Sequence, residues 1–207
     1  LDGWISKVST LRPSEAIQST AIIIEDRPGD LLRFSIYNTL FMSRLRMKIV
    51  LFTTQSSFKE MKELFSDLMN WVKVIKLDDN NNTLKKIDTK NYNNILKSKV
   101  FWESLPSKNI LIFQTDALLI EPIDYSMFDY DYIGAPFSVN KYLSTSFPEY
   151  RDDAQISKVH KWVTQVFNKK VPIPDDVYIG NGGLSIRNRD LMIEICKNEF
   201  SPVDENE

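Results

Sequence analysis

One cysteine, one histidine and six glycines in 207 residues are low counts, and each scarcity removes a class of explanation. Cys196 alone cannot build an internal disulfide framework, and it stands in an apolar helical pattern where a buried thiol is the ordinary outcome. The expectation is therefore the cytoplasm or another reducing compartment. His160 alone cannot furnish a His-rich zinc site, and its place in the helical pattern over 156–167 reads as packing or surface. No apolar run approaches the length of a bilayer-spanning helix, so no membrane segment is expected. Neither sign of charge is in excess: the formal net charge is -2, which gives no reason to expect nucleic acid. Arg44/Arg46/Lys48 and Lys85-Lys86 are short clusters that read as solvated faces. The few glycines fit neither a Walker loop nor a dinucleotide fingerprint. There is no internal repeat. The chain starts at Leu1 without an initiator Met or a signal-peptide pattern, which leads us to expect an excised domain, truncated at its C-terminus.

What is present is a regular alternation. Length and composition suit one α/β domain over 1–207, with a variable insertion at 137–178. Ala21-Ile22-Ile23-Ile24-Glu25-Asp26 reads as a buried strand ended by Arg27-Pro28-Gly29, and Asp30 can cap a helix whose Leu31, Phe34, Leu40 and Phe41, with Ile36 and Tyr37 between them, cover a sheet. Lys48 to Thr53 repeats the strand signal. Ser57 opens a second helix in which Phe58, Met61, Leu64, Phe65 and Leu68 recur at helical spacing, and Val72 to Leu77 is a third strand. A polar loop over 78–83 follows, then one helical stretch from Tyr92 through Phe101-Trp102 towards Pro106. Short strands are expected at Leu118-Leu119-Ile120 and Tyr132-Ile133-Gly134-Ala135. Asn188 caps a last helix through Met192, Ile195 and Cys196. Strands and helices alternating at this spacing imply right-handed βαβ units and a mainly parallel central sheet flanked by helices.

The most informative stretch is Ile110-Leu111-Ile112-Phe113-Gln114-Thr115-Asp116. An apolar run this short reads as a strand buried on both faces, and it stops on a carboxylate at its carboxyl end. Ligands bind at that edge of open α/β sheets, where a carboxylate can hold a divalent cation and, through it, a diphosphate. Asp is also a common cap of turns and helices, so Asp116 has a purely structural alternative. Gly180-Asn181-Gly182-Gly183 lets backbone approach a ligand closely, and it equally makes a simple tight turn. Together the two segments suit a sugar nucleotide, with the cation on one side and an open cradle on the other.

Five segments carry a resemblance. Glu25-Asp26-Arg27-Pro28, Phe101-Trp102-Glu103-Ser104-Leu105-Pro106, Phe113-Gln114-Thr115-Asp116, Tyr130-Asp131-Tyr132-Ile133-Gly134-Ala135-Pro136 and Gly180-Asn181-Gly182-Gly183-Leu184-Ser185-Ile186-Arg187 occur in the order seen in a little-characterised domain family (a domain of unknown function) regarded as glycosyltransferases. The chain resembles that family over most of its length. The family in turn resembles GT-A glycosyltransferases, which implies a single GT-A-like, Rossmann-like domain.

The resemblance implies that the domain moves a sugar from a nucleotide-sugar donor, UDP- or GDP-linked, to a hydroxyl on a glycan or protein acceptor. Asp116 is implied as the ligand of a divalent cation, Mn²⁺ or Mg²⁺, that bridges the donor diphosphate. Gln114 stands where many relatives carry a first acid, leaving one carboxylate where two are usual. Glu25 and Arg27 are implied on the nucleoside side, with a surface ion pair as their structural alternative. Thr115, Asn181, Gly182 and Gly183 complete the implied donor contacts. Tyr132, Ile133 and Gly134 either wall the sugar pocket or pack. The general base is expected in the acidic segment Asp204-Glu205-Asn206-Glu207, with Glu207 the candidate and a solvated tail the alternative. Trp162 and Tyr150 are candidates for stacking on an acceptor sugar, whereas Asp152-Asp153 and Asp175-Asp176 read as solubilising loop residues. Two rivals share the features: an inactive or truncated transferase-like domain serving as a binding scaffold, and a sugar nucleotidyltransferase. The latter normally carries a Gly-rich basic loop after its first strand, of which Arg27-Pro28-Gly29-Asp30 is a poor version.

Overall fold

Ser19–Ile24 (β1) is buried at every position, the signature of a strand with a layer on each face. It lies at the centre of a six-stranded sheet with Met47–Thr53 (β2), Val72–Lys76 (β3), Asn109–Phe113 (β4), Tyr132–Ser138 (β5) and Tyr178–Asn188 (β6), in the order β3-β2-β1-β4-β6-β5. This computed structural model describes residues 8, 10–13, 19–77, 84, 86–138 and 178–197. β1 pairs in parallel with β2 and β4, β2 in parallel with β3, and β6 runs antiparallel to β4. The expected α/β architecture, Rossmann-like with a mainly parallel sheet flanked by helices, is what forms.

Alternation along the central strands separates two cores. Ala21 and Ile23, Ile49 and Leu51, and Leu111 and Phe113 point to one face, under Asp30–Met42 (α1) and Phe58–Leu64 (α2). Ile22 and Ile24, Val50 and Phe52, and Ile110 and Ile112 point to the other. There they meet Thr89–Lys97 (α3), Lys99–Glu103 (α4) and Arg189–Lys197 (α5). Trp102 is fully buried in this second core, and its indole N–H donates to the Leu96 carbonyl at 2.7 Å, so the large ring is buried without an unpaired donor.

Several sequence expectations change in detail. The buried stripe of α1 is Leu32, Ile36 and Leu40 with Ser35 and Thr39, whereas Leu31, Phe34 and Phe41 are exposed. Buried Ser and Thr hid that stripe from a count of apolar residues. Gly29, not Asp30, stands before the helix, with φ 155° and ψ 178°, and Asp30 lies in the first turn, where its charge suits the helix dipole. The stretch after Tyr92 is two helices rather than one. Ser98 takes an extended conformation and its hydroxyl accepts from the Phe101 N–H, capping α4 as α3 ends. Leu118-Leu119-Ile120 is not a strand, because the Asn38 side chain engages both the N–H and the C=O of Leu119, each at 2.9 Å. A side chain thus replaces the sheet partner. In α5 the inward residues are Met192, Ile193 and Cys196, and Ile195 is exposed. Asn188 caps α5 as expected, accepting from the Asp190 and Leu191 N–H groups.

The chain divides into two compact units, Leu1–Ile133 with Gly183–Glu207, and Gly134–Gly182. Of the second, only segments of β5 and β6 are described. The expected helix over 156–167 with His160 and Trp162, Tyr150, the acidic pairs at 152–153 and 175–176, the polar loop over 78–83 and Glu207 lie outside the described residues. Among the described residues no helix is long and apolar enough to cross a membrane.

Candidate functional site

The strand order reverses at β1: β2 lies on one side of it and β4 on the other, so crossovers leave in opposite directions and a crevice opens at the carboxyl ends of β1 and β4. A cleft of about 390 Å³ lies there, lined among others by Glu25 and Arg27 after β1, by Gln114, Thr115 and Asp116 after β4, and by Tyr92 from α3. Four of the sequence candidates, Glu25, Arg27, Thr115 and Asp116, therefore share one cavity.

Glu25 is buried and fully engaged. Its Oε1 accepts from the backbone N–H groups of Asp26 and Arg27 and from Arg27 Nε, each at 2.9 Å, and its Oε2 accepts from Arg27 Nη2 at 2.8 Å. Burial alone would raise the pKa of this carboxyl. The side-chain and backbone hydrogen bonds from Arg27, its charge and the Asp26 N–H outweigh that, and the net shift is downward. Glu25 is thus an ionised strut rather than a free ligand. Its partner Arg27 has a side chain 78% exposed, and the fork that grips Glu25 leaves Nη1 directed to solvent and the cleft. The Coulombic influence of Asp116 on Arg27 places opposite charges on the two lips.

Asp116 is exposed at the cleft, in the turn closed by the hydrogen bond from the Ala117 N–H to the Gln114 carbonyl. Its carboxylate has no hydrogen bond or ion pair among the described residues, so it caps nothing there. The turn itself is fixed from α1: the Ser35 hydroxyl is shared between the Leu31 and Thr115 carbonyls, at 2.9 and 3.0 Å. The opposite wall is fixed through Asp26, whose carboxylate accepts from the Ile87 N–H at 2.7 Å and whose carbonyl accepts from the Ser57 hydroxyl. Asp88 then caps α3 by accepting from the Asn91 N–H.

Tyr92 was not singled out for chemistry by the sequence. Its hydroxyl is buried in the cleft wall with no hydrogen-bond partner among the described residues, and the Gln114 amide lies near enough to ease ionisation against the opposing effect of burial yet outside bonding geometry. No signal in one sequence marks such a tyrosine, because aromatic residues at helical spacing are normally core. The glycine segment lies in β6 rather than in a loop. Gly183 is buried in the first unit, while Asn181 and Gly182 belong to the second, their surroundings outside the described residues. Ile133 packs against the first core and Tyr132 is exposed.

The donor set sets limits on a cation. Among the described residues no three His, Cys, Asp or Glu side chains gather to hold one. Glu25 is committed to Arg27, which leaves Asp116 as the free carboxylate of the cleft. That set fits an ion taking most of its shell from phosphate oxygens and water, as Mg²⁺ commonly does, and not a cage made by protein alone.

Fold and cleft define an α/β protein with a Rossmann-like half and a ligand crevice at its strand switch point. Residues 72–206 match the family model described as "Protein of unknown function (DUF5672)", more than half of the chain, and the chain belongs to that family. No curated protein matches it. Among solved structures it is similar to 4-diphosphocytidyl-2C-methyl-D-erythritol synthase from Anaerococcus prevotii, at 10% identity and TM-score 0.49, covering 89% of this chain and 78% of that one. It is similar to mouse xyloside xylosyltransferase 1 in its apo form, at 14% identity and TM-score 0.46, covering 87% and 70%. A third neighbour is the apo form of the glycosyltransferase GlyE of Streptococcus pneumoniae, at 12% identity and TM-score 0.40, covering 91% of this chain and 40% of that one. At these identities the neighbours say nothing about the reaction of this chain.

Proposed function

We propose that the cleft binds a nucleotide-sugar donor and that the domain transfers the sugar to a hydroxyl of a glycan or protein acceptor. The observation that carries this reading is the free Asp116 carboxylate at the β4 end of the switch-point cleft, opposite an arginine held by Glu25 at the β1 end. Arg27 Nη1 offers a donor to the donor's phosphates, and Thr115 and Gln114 supply neutral polar groups along the same edge. Asp116 would hold a divalent cation together with the diphosphate, and such an ion supplies charge neutralisation to the departing nucleoside diphosphate. Asn181, Gly182 and Gly183 remain the sequence-based candidates for further donor contacts.

In the transfer the acceptor oxygen bonds to the anomeric carbon and the bond from that carbon to the diphosphate breaks, its electron pair leaving with the nucleoside diphosphate. The acceptor's proton passes to a general base, for which Glu207 is the sequence-based candidate. Thermal-shift titration of the protein with UDP, GDP and the corresponding triphosphates, with and without Mn²⁺, tests the reading. Stabilisation by a nucleoside diphosphate, followed by release of that diphosphate from a cognate nucleotide sugar, is expected. No stabilisation by any nucleotide would favour a scaffold, and a preference for triphosphates a nucleotidyltransferase.

A further inference from the structure

The register of β6 on β4, Ile110 with Arg187 and Ile112 with Ser185, puts Arg187 and Ser185 on the same face of the sheet, the face that carries Trp102. Arg187 is partly buried there. Its Nε donates to Ser185 Oγ at 3.1 Å, and its guanidinium carbon lies 5.9 Å from the centre of the Trp102 ring and 5.5 Å from that of Tyr132. Neither Nη group has a hydrogen-bond partner among the described residues, and no carboxylate there pairs with it.

Other arginines of the first unit behave differently. Arg27, Arg33 and Arg189 each meet an acid, and Arg12, Arg44 and Arg46 are exposed. Burial pushes the pKa of Arg187 down, and the groups acting on it are Tyr132 and Tyr92. Attraction to an aromatic face recovers only a fraction of the hydration a buried cation gives up. A guanidinium kept for packing alone would be better replaced by an apolar side chain of the same length. Tyr92, packed on the same core, repeats the pattern: a buried hydroxyl without a hydrogen-bond partner among the described residues, in the cleft wall, under the electrostatic influence of both Arg187 and Asp116.

We propose that Arg187 and the Tyr92 hydroxyl, both on the Trp102 face of the sheet where Tyr92 lines the cleft, form an oxyanion-binding pair, the Arg187 fork and the phenol donating to one anionic group of the substrate. Two sources share that chemistry, a phosphate of the donor diphosphate and a carboxylate on an acidic sugar. The assignment of the anion to a donor rests on the nucleotide-sugar reading, whereas the existence of the pair does not.

Calorimetric titration of wild type, Arg187→Met, Arg187→Lys and Tyr92→Phe with inorganic pyrophosphate, UDP, GDP, uridine, guanosine, UDP-glucose and UDP-glucuronate tests it. Arg187→Met should weaken at least one anionic probe tenfold or more, leave the uncharged nucleosides unchanged and not lower the melting temperature. Arg187→Lys, which keeps the charge without the fork, should fall between wild type and Arg187→Met. Tyr92→Phe should weaken the same probe by about fivefold, the loss of one hydrogen bond to an anion. A loss shared by pyrophosphate and the nucleoside diphosphates assigns the phosphate. A loss confined to UDP-glucuronate, with UDP-glucose unaffected, assigns the carboxylate. If wild type binds pyrophosphate but no nucleotide, and Arg187→Met loses pyrophosphate, the pair stands and the nucleotide-sugar reading falls. The pair is overturned if wild type binds none of the anions, if Arg187→Met and Tyr92→Phe bind every probe as wild type does, or if Arg187→Met fails to fold while Arg187→Lys and Tyr92→Phe bind unchanged.

Discussion

Replacing Arg27 by Met isolates what the Glu25 strut contributes. In the native protein the Glu25 carboxylate accepts two bonds from backbone N–H groups and two from the Arg27 guanidinium. Arg27→Met removes the latter and leaves a buried carboxylate with backbone partners alone. Hydrogen bonds to a charged group contribute about 1.5–3 kcal/mol, but the exposed guanidinium is partly screened by water, so a loss of about 1–2 kcal/mol at pH 7 is expected. For a domain of this size that lowers the melting temperature by about 2–8 °C. The pH dependence is the sharper test. Glu25 titrates below its usual value in the native state, so its contribution is present above the unfolded-state pKa, near 4.5, and disappears as pH falls through the lower, folded-state value. In the variant the opposing effect of burial is less compensated, and the depression shrinks or reverses. The stability gap between the two proteins should therefore be widest at neutral pH and close as the pH falls below about 4. Urea unfolding at pH 7, 5 and 3.5 measures it. A gap that stays constant across those three values, or none at pH 7, would refute the strut.

Asn38→Ala leaves both polar backbone groups of Leu119 without their partner and should lower stability by about 1–3 kcal/mol, with hydrogen exchange at 117–120 accelerating well before global unfolding. Gly29→Ala places a side chain where φ is 155°; no heavy atom lies within 4 Å of the new Cβ, so the expected loss of about 1–3 kcal/mol in urea unfolding is backbone strain without a clash. Asp116→Asn should leave stability within about 0.5 kcal/mol, since the carboxylate is exposed and unbonded. In calorimetry it should raise nucleoside diphosphate affinity in chelator, where one like charge is removed, and lower it in Mn²⁺, where the ion loses its protein ligand. Movement in the same direction under both conditions would sink that assignment.

Strands were the most legible part of the sequence, because a fully buried β-strand advertises itself as a continuous apolar run, as Ala21 to Ile24 and Ile110 to Phe113 do. The β1 and β4 ends, and with them Glu25, Arg27, Thr115 and Asp116 on one cleft, followed from that. Helix faces were less legible. Leu31, Phe34 and Phe41 looked inward by composition, yet Leu32, Ser35 and Thr39 are buried beside the expected Ile36, Tyr37 and Leu40, since small hydroxyl residues fit beneath a helix when their bonds go to nearby carbonyls. Long-range side-chain bonding was not legible at all. Asn38 and Leu119 are 81 residues apart, and nothing in the local run Leu118-Leu119-Ile120 shows that an amide side chain satisfies its backbone in place of a strand. The roles of Glu25 and Arg27 were half legible: position came from the strand, but only geometry shows that the acid holds the base.

The polar groups that the fold leaves unengaged carry more information about function than those it uses. Asp26, Asp88, Ser35 and Glu25 all border the cleft, and each is committed to backbone or to Arg27. Among the described residues, what remains free in the cleft is one carboxylate, Asp116, together with the partly engaged guanidinium of Arg27 and the neutral groups of Gln114 and Tyr92. An acid at position 114 would have added a second carboxylate beside Asp116 and raised the repulsion met by any polyanion. With glutamine there, the cleft carries one negative charge fewer than it would with an acid, so a diphosphate depends less on a cation than it would beside two adjacent carboxylates.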